Sequence, residues 1–83
     1  MDNKKTDCTQ IYNKIGLRIR DARTAKRLTQ DDLGFNVGVS GQYISLIELG
    51  KTNIGSIELL INLMNTLEIS PNELFCDYVK TAD

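Results

Sequence analysis

At 83 residues the chain has room for one domain with a modest core, a size at which subunit pairing helps stability. Hydrophobic residues at 41% and charged residues at 25% exclude a wholly disordered chain, while a net charge of −1 argues, on total charge alone, against a nucleic-acid partner. There is no histidine, and Cys8 and Cys76 lie far apart without a CxxC spacing, so no metal site, cofactor or catalytic acid–base set is expected, and the thiols fit a reduced, cytoplasmic protein.

Residues 1–10 are polar without periodicity and read as a flexible arm, ahead of a domain over 11–79 and a tail at 80–83. Ile11, Ile15, Ile19 and Ala22 then draw an apolar stripe at helical spacing, which predicts a first helix ending near Arg27. Thr29 can cap a second helix from about Gln30 to Val37, with Asp31 and Asp32 favoured at the positive end of its dipole and Leu33 and Val37 turned inward. Gly38 stops that helix and makes a turn with Val39.

Ser40 can cap a third helix that buries Ile44 and Ile47, turns Gln42, Ser45 and Leu46 elsewhere, and ends at Gly50. The polar segment from Lys51 to Gly55 is a loop. Ile57, Leu60, Leu63, Met64 and Leu67 mark a fourth helix, in which Leu59 and Ile61 join Met64 as a second apolar set that one face cannot hold. Ser70-Pro71-Asn72-Glu73 combines an N-cap serine, a proline at the first helical position and a capping-box glutamate, so a fifth helix starts there, with Leu74, Phe75, Tyr78 and Val79 available for burial. No strand alternation or repeat occurs, and no stretch approaches the roughly 20 apolar residues of a membrane span. The expected fold class is all-α, with five short helices.

Charge is unevenly distributed. Eight of the ten basic residues, from Lys4 to Arg27, fall in the first thirty positions, whereas eight of the eleven acidic residues fall after them. The basic half would suit a polyanion, although such groups also serve as an ordinary solvated helix face.

The segment from Leu28 to Lys51, LTQDDLGFNVGVSGQYISLIELGK, couples two short helices through a glycine-bearing turn and leaves the second free to enter a major groove. Its Leu28-Thr29-Gln30 opening, Leu33, Val37-Gly38-Val39-Ser40 turn, Tyr43-Ile44-Ser45 core and Ile47-Glu48-x-Gly50-Lys51 exit, with Ile69-Ser70-Pro71-x-Glu73-Leu74-Phe75 beyond, resemble the helix-turn-helix of the Cro and phage-repressor (XRE-like) family. The similarity runs from about Ile15 to Phe75. It implies a five-helix, lambda-repressor-like domain with its helix-turn-helix at 29–49, and a sequence-specific, non-enzymatic transcriptional regulator. Small stand-alone regulators such as restriction-modification controller proteins and phage repressors look alike in this respect.

The resemblance also implies roles for individual residues. Gln30 would meet a phosphate beside the amides of its helix end, and Tyr43, Lys51, Thr52 and Asn53 would hold sugar-phosphate on the flanks. Ser40, Gly41, Gln42, Ser45 and Leu46 would face base edges, with Gln42 suited to adenine and Leu46 to a thymine methyl. Arg23 and Glu48 would tie helix 1 to helix 3, the alternative being two independently solvated charges.

Some positions depart from the family pattern. Gly41, Leu46 and Leu49 stand where relatives often carry arginine or another polar group, so the reading face is uncharged. Gly34 replaces a usual alanine, permitting close approach at about 1 kcal/mol of helix propensity. Phe35 falls on the outer side of helix 2, as a tucked core aromatic or a contact for a partner protein. Reading two half-sites on double-stranded DNA calls for a homodimer, for which Ile61, Met64, Phe75, Tyr78 and Val79 are the expected interface unless helix 5 only caps its own core. The competing function is a protein-interaction or antitoxin-like regulator built on the same fold.

Overall fold

Five helices appear in the order α1 (Cys8–Ala25), α2 (Gln30–Val37), α3 (Gly41–Glu48), α4 (Ile57–Leu67) and α5 (Pro71–Phe75), and no strand occurs among the described residues. The structure is a computed structural model that describes residues 8–76. Tyr78, Val79 and the expected tail lie outside that range, as does most of the expected arm. Residues 8–10, assigned to the arm by their polarity, instead form the first turn of α1.

Each helix start is set by local chemistry. Thr29 caps α2 by accepting from the Asp32 amide at 2.9 Å, while the Asp32 carboxylate accepts from the Thr29 amide at 2.9 Å. These bonds hold the Asp32 carboxyl below its ordinary pKa, so the cap is complete when Asp32 is ionised. Ser40 caps α3 and Ser56 caps α4, each hydroxyl accepting at 3.0 Å from the amide three residues on. Ser70 and Glu73 make the reciprocal capping box of α5 expected from the sequence.

The helix ends are equally specific. Gly38 closes α2 in the left-handed region at φ 86°, the conformation its missing Cβ makes easy. Arg27 and Glu68 adopt the same region without that advantage, at φ 61° and 59°, after α1 and α4 respectively. Lys26 and Glu68 then join these two ends through a 2.8 Å ion pair, which holds the exposed Glu68 carboxyl below its ordinary pKa through hydrogen bond and charge together.

The core gathers Ile15 and Ile19 from α1, Leu33 and Val37 from α2, Ile44 and Ile47 from α3, Leu59, Leu63 and Leu67 from α4, and Leu74 from α5. In α4 the phase differs from the expected one. Leu59 is buried and Leu60 only half-buried, because the row at 59, 63 and 67 faces α1 and α2. Ile57, expected on the core stripe, lies in the first turn on the opposite side and is 76% exposed. Phe35 is not tucked into the core either, being 87% exposed on the outer side of α2.

Gly34 explains how α2 and α3 come so close. A Cβ on it would lie 2.5 Å from the Val39 carbonyl oxygen and 2.9 Å from the Ser40 carbonyl carbon, so the turn folds back directly over this glycine. Loss of helix propensity there is offset by a tighter helix-turn-helix. Gly16 plays the matching part between α1 and α3, where a Cβ would meet the Ile47 carbonyl oxygen and would stand 2.6 Å from that of Glu48.

Candidate nucleic-acid interface

Register decides which α3 residues face outward. Ile44 and Ile47 are buried against α2 and α1, which turns Gln42 and Leu46 to solvent and leaves Ser45 half-buried at the edge. Gln42 is exposed and has no hydrogen-bond partner among the described residues, so its whole amide is available. Leu46 is 38% exposed one turn further on, and Leu49, just past the helix, is 57% exposed. Ser40 is exposed with its oxygen engaged as the cap, which leaves the hydroxyl proton free to donate.

At the α3 start, the Asp31 carboxylate lies over Gly41, in the space a Cβ would fill. An acceptor therefore stands at this corner of the reading surface.

The position of α3 is fixed by a clamp at its far end. The Glu48 carboxylate, 3% exposed in its side chain, accepts from Arg23 Nε at 2.5 Å and from Nη2 at 3.1 Å. Arg23 Nη1 donates to the Leu28 carbonyl at 2.8 Å, and Gln30 Nε2 donates to Glu48 Oε1 at 3.1 Å. One carboxylate thus joins α1, the α2 N-terminus and α3, so the sequence's alternative of two solvated charges does not hold. Both planar groups are used bidentately, the geometry in which arginine and carboxylate match.

The same bonds revise two expected phosphate contacts. Gln30 is first a member of the clamp, keeping one amide hydrogen for a phosphate. Tyr43 is withdrawn from the flank: its hydroxyl donates to the Asn53 carbonyl at 3.2 Å, and its ring packs on the core, so it braces the α3–α4 loop instead. With that proton committed, the hydroxyl has nothing left to donate to a phosphate oxygen. Lys51 and Asn53 are exposed and Thr52 half-buried on the loop, as a flanking contact requires.

Sequence reasoning missed the α1 side of the site. Asn13, Leu17 and Arg20 line an open cleft with Gln30, Ser45, Leu49 and the clamp residues. Arg20 is exposed and makes no ion pair among the described residues, unlike Arg23 and Lys26. A signal was present: positions 13, 16, 20 and 23 follow one another at helical spacing and form the face that meets α3. Of the expected interface residues, Ile61 is 46% exposed on α4, whereas Met64 and Phe75 are half-buried against their own core. Ile57 belongs with Ile61 on the same outward row.

No group of residues suited to hold a metal ion occurs among the described residues, and no helix there is long and apolar enough to cross a membrane.

A helix-turn-helix family model matches residues 19–74. The chain is similar to the solved structure of the restriction-modification controller protein C.AhdI from Aeromonas hydrophila, at 37% identity, covering 84% of this chain and 100% of that one with a TM-score of 0.75. It is also similar to the wild-type restriction-modification controller protein C.Esp1396I, at 29% identity, covering 87% of this chain and 96% of that one with a TM-score of 0.68. No curated protein is a significant match.

Proposed function

Because this chain belongs to the helix-turn-helix family of DNA-binding transcriptional regulators, which are not enzymes, we propose that it recognises a specific operator as a symmetric homodimer in the cytoplasm. The observation that carries this reading is an outward α3 with an unengaged Gln42, held in place by a buried polar clamp. Ser40, Gly41, Gln42, Ser45 and Leu46 approach base edges in the major groove. Lys51, Thr52, Asn53, the free amide hydrogen of Gln30 and the α2 end hold the backbone. Arg20 joins that backbone set, since it is an unpaired cation beside Ser45 and Leu49.

The partner surface is the exposed α4 row of Ile57 and Ile61, flanked by Leu60 and Met64. Pairing there would cover the largest apolar side chains that α4 leaves in water, the contribution a small domain needs most.

Selection from a random duplex pool tests the proposal. The expected result is a palindromic site whose half-site centres lie about 34 Å apart or a multiple of that. Recovery of single, unrelated half-sites would remove the dimer from the account.

Salt dependence tests the backbone contacts. Each neutralised phosphate contributes about −0.9 to the slope of log K against log salt. Arg20→Ala and Lys51→Ala are each expected to flatten that slope by about 1 while leaving the preferred sequence unchanged. An unchanged slope in Arg20→Ala would remove that residue from the backbone set.

Phe35, 87% exposed on the outer side of α2, favours a second reading as a protein-interaction or antitoxin-like regulator. Salt-independent duplex binding, or none, would favour it.

A further inference from the structure

We propose that the base pairs facing α3 in the operator are A·T pairs, read through adenine's bidentate edge and through thymine methyl groups, with no guanine contact from the helix. This inference rests on the DNA-binding reading above and names the sequence class that the same site takes. Guanine presents two acceptors, N7 and O6, in the major groove, and the side chains that match them are arginine and lysine. Neither occurs in α3, GQYISLIE, whose one charged residue, Glu48, is buried in the clamp. At the helix start Gly41 has no side chain to extend, and the Asp31 carboxylate beside it adds an acceptor that guanine's acceptors would repel.

What remains on the outward face suits adenine and thymine. Gln42 carries a donor and an acceptor, both unengaged, and adenine offers the complementary acceptor and donor at N7 and N6. Leu46 stands one helical turn further along, and Leu49 follows on the same row. A thymine methyl buries against leucine favourably, whereas the polar edge of a G·C pair pressed on leucine would lose water without gaining a hydrogen bond. The nearby guanidinium of Arg20 lines the cleft with Ser45 and Leu49, not with Gln42 or Leu46.

The test uses the full chain and the duplexes it selects from a random pool, in which each thymine of the half-site is replaced in turn by deoxyuridine, which lacks only the methyl group. The expected outcome is A·T pairs at the positions α3 covers, with one or two replacements per half-site weakening binding about fourfold, the effect of one buried methyl. Leu46→Ala should still bind and should lose that sensitivity. Three results overturn the inference alone: G·C pairs at the covered positions, replacements without effect, or an effect that persists in Leu46→Ala. Failure to select any duplex overturns the DNA-binding reading and this inference with it.

Discussion

Replacing Arg23 by alanine is expected to lower stability by about 3–5 kcal/mol, because the Glu48 carboxylate would stay buried with its positive partner gone. Glu48 is 3% exposed in its side chain and Arg23 12%, so water cannot take over either role without opening the α1–α3 contact. Only the Gln30 amide would remain on the carboxylate, and the Leu28 carbonyl would lose its donor as well. For 83 residues a total stability of about 4–12 kcal/mol is ordinary, so the loss would take a third of it or more. Urea unfolding checks this, the midpoint falling at an unchanged slope. A loss under about 1 kcal/mol would mean that the pair behaves like one on the open surface.

The second large effect is expected at Gly16. Alanine is the better helix former by about 1 kcal/mol, and in an exposed helix it would stabilise. Here its methyl would be driven into the carbonyl oxygens of Ile47 and Glu48, which are backbone and cannot swing aside. Separating α1 from α3 also strains the clamp. A net cost of about 1–3 kcal/mol is expected, as for other overpacked cores. The melting temperature would fall by about 4–8 °C for each kcal/mol in a domain of this size, which a thermal melt followed by circular dichroism would read directly. A higher melting temperature in Gly16→Ala would show that helix propensity outweighs the contact.

These two residues also mark where the sequence was legible and where it was not. Thr29, Ser40 and Ser70 disclosed three helix starts because capping is local chemistry, settled within four residues. The outward set on α3 followed from register alone once Ile44 and Ile47 were taken as buried. The phase of α4 was misread because Ile57, Leu59, Leu60, Ile61, Leu63 and Met64 surround the helix with apolar groups, and only packing against α1 and α2 selects among them. Gly16 drew no notice because a glycine inside a helix reads as lost propensity, whereas its purpose lies in another helix. Arg20 and the Tyr43–Asn53 bond are of the same kind, each created by an approach between segments that the chain order does not reveal.

The reading helix is anchored at its start, where the turn closes over Gly34, and at its end, where Glu48 takes three hydrogen bonds from two other segments. Such a probe has little freedom to tilt. When two of them are set at a fixed separation, any misfit with the groove must be absorbed by curving or twisting the duplex, so base steps that neither probe touches contribute to affinity through their stiffness.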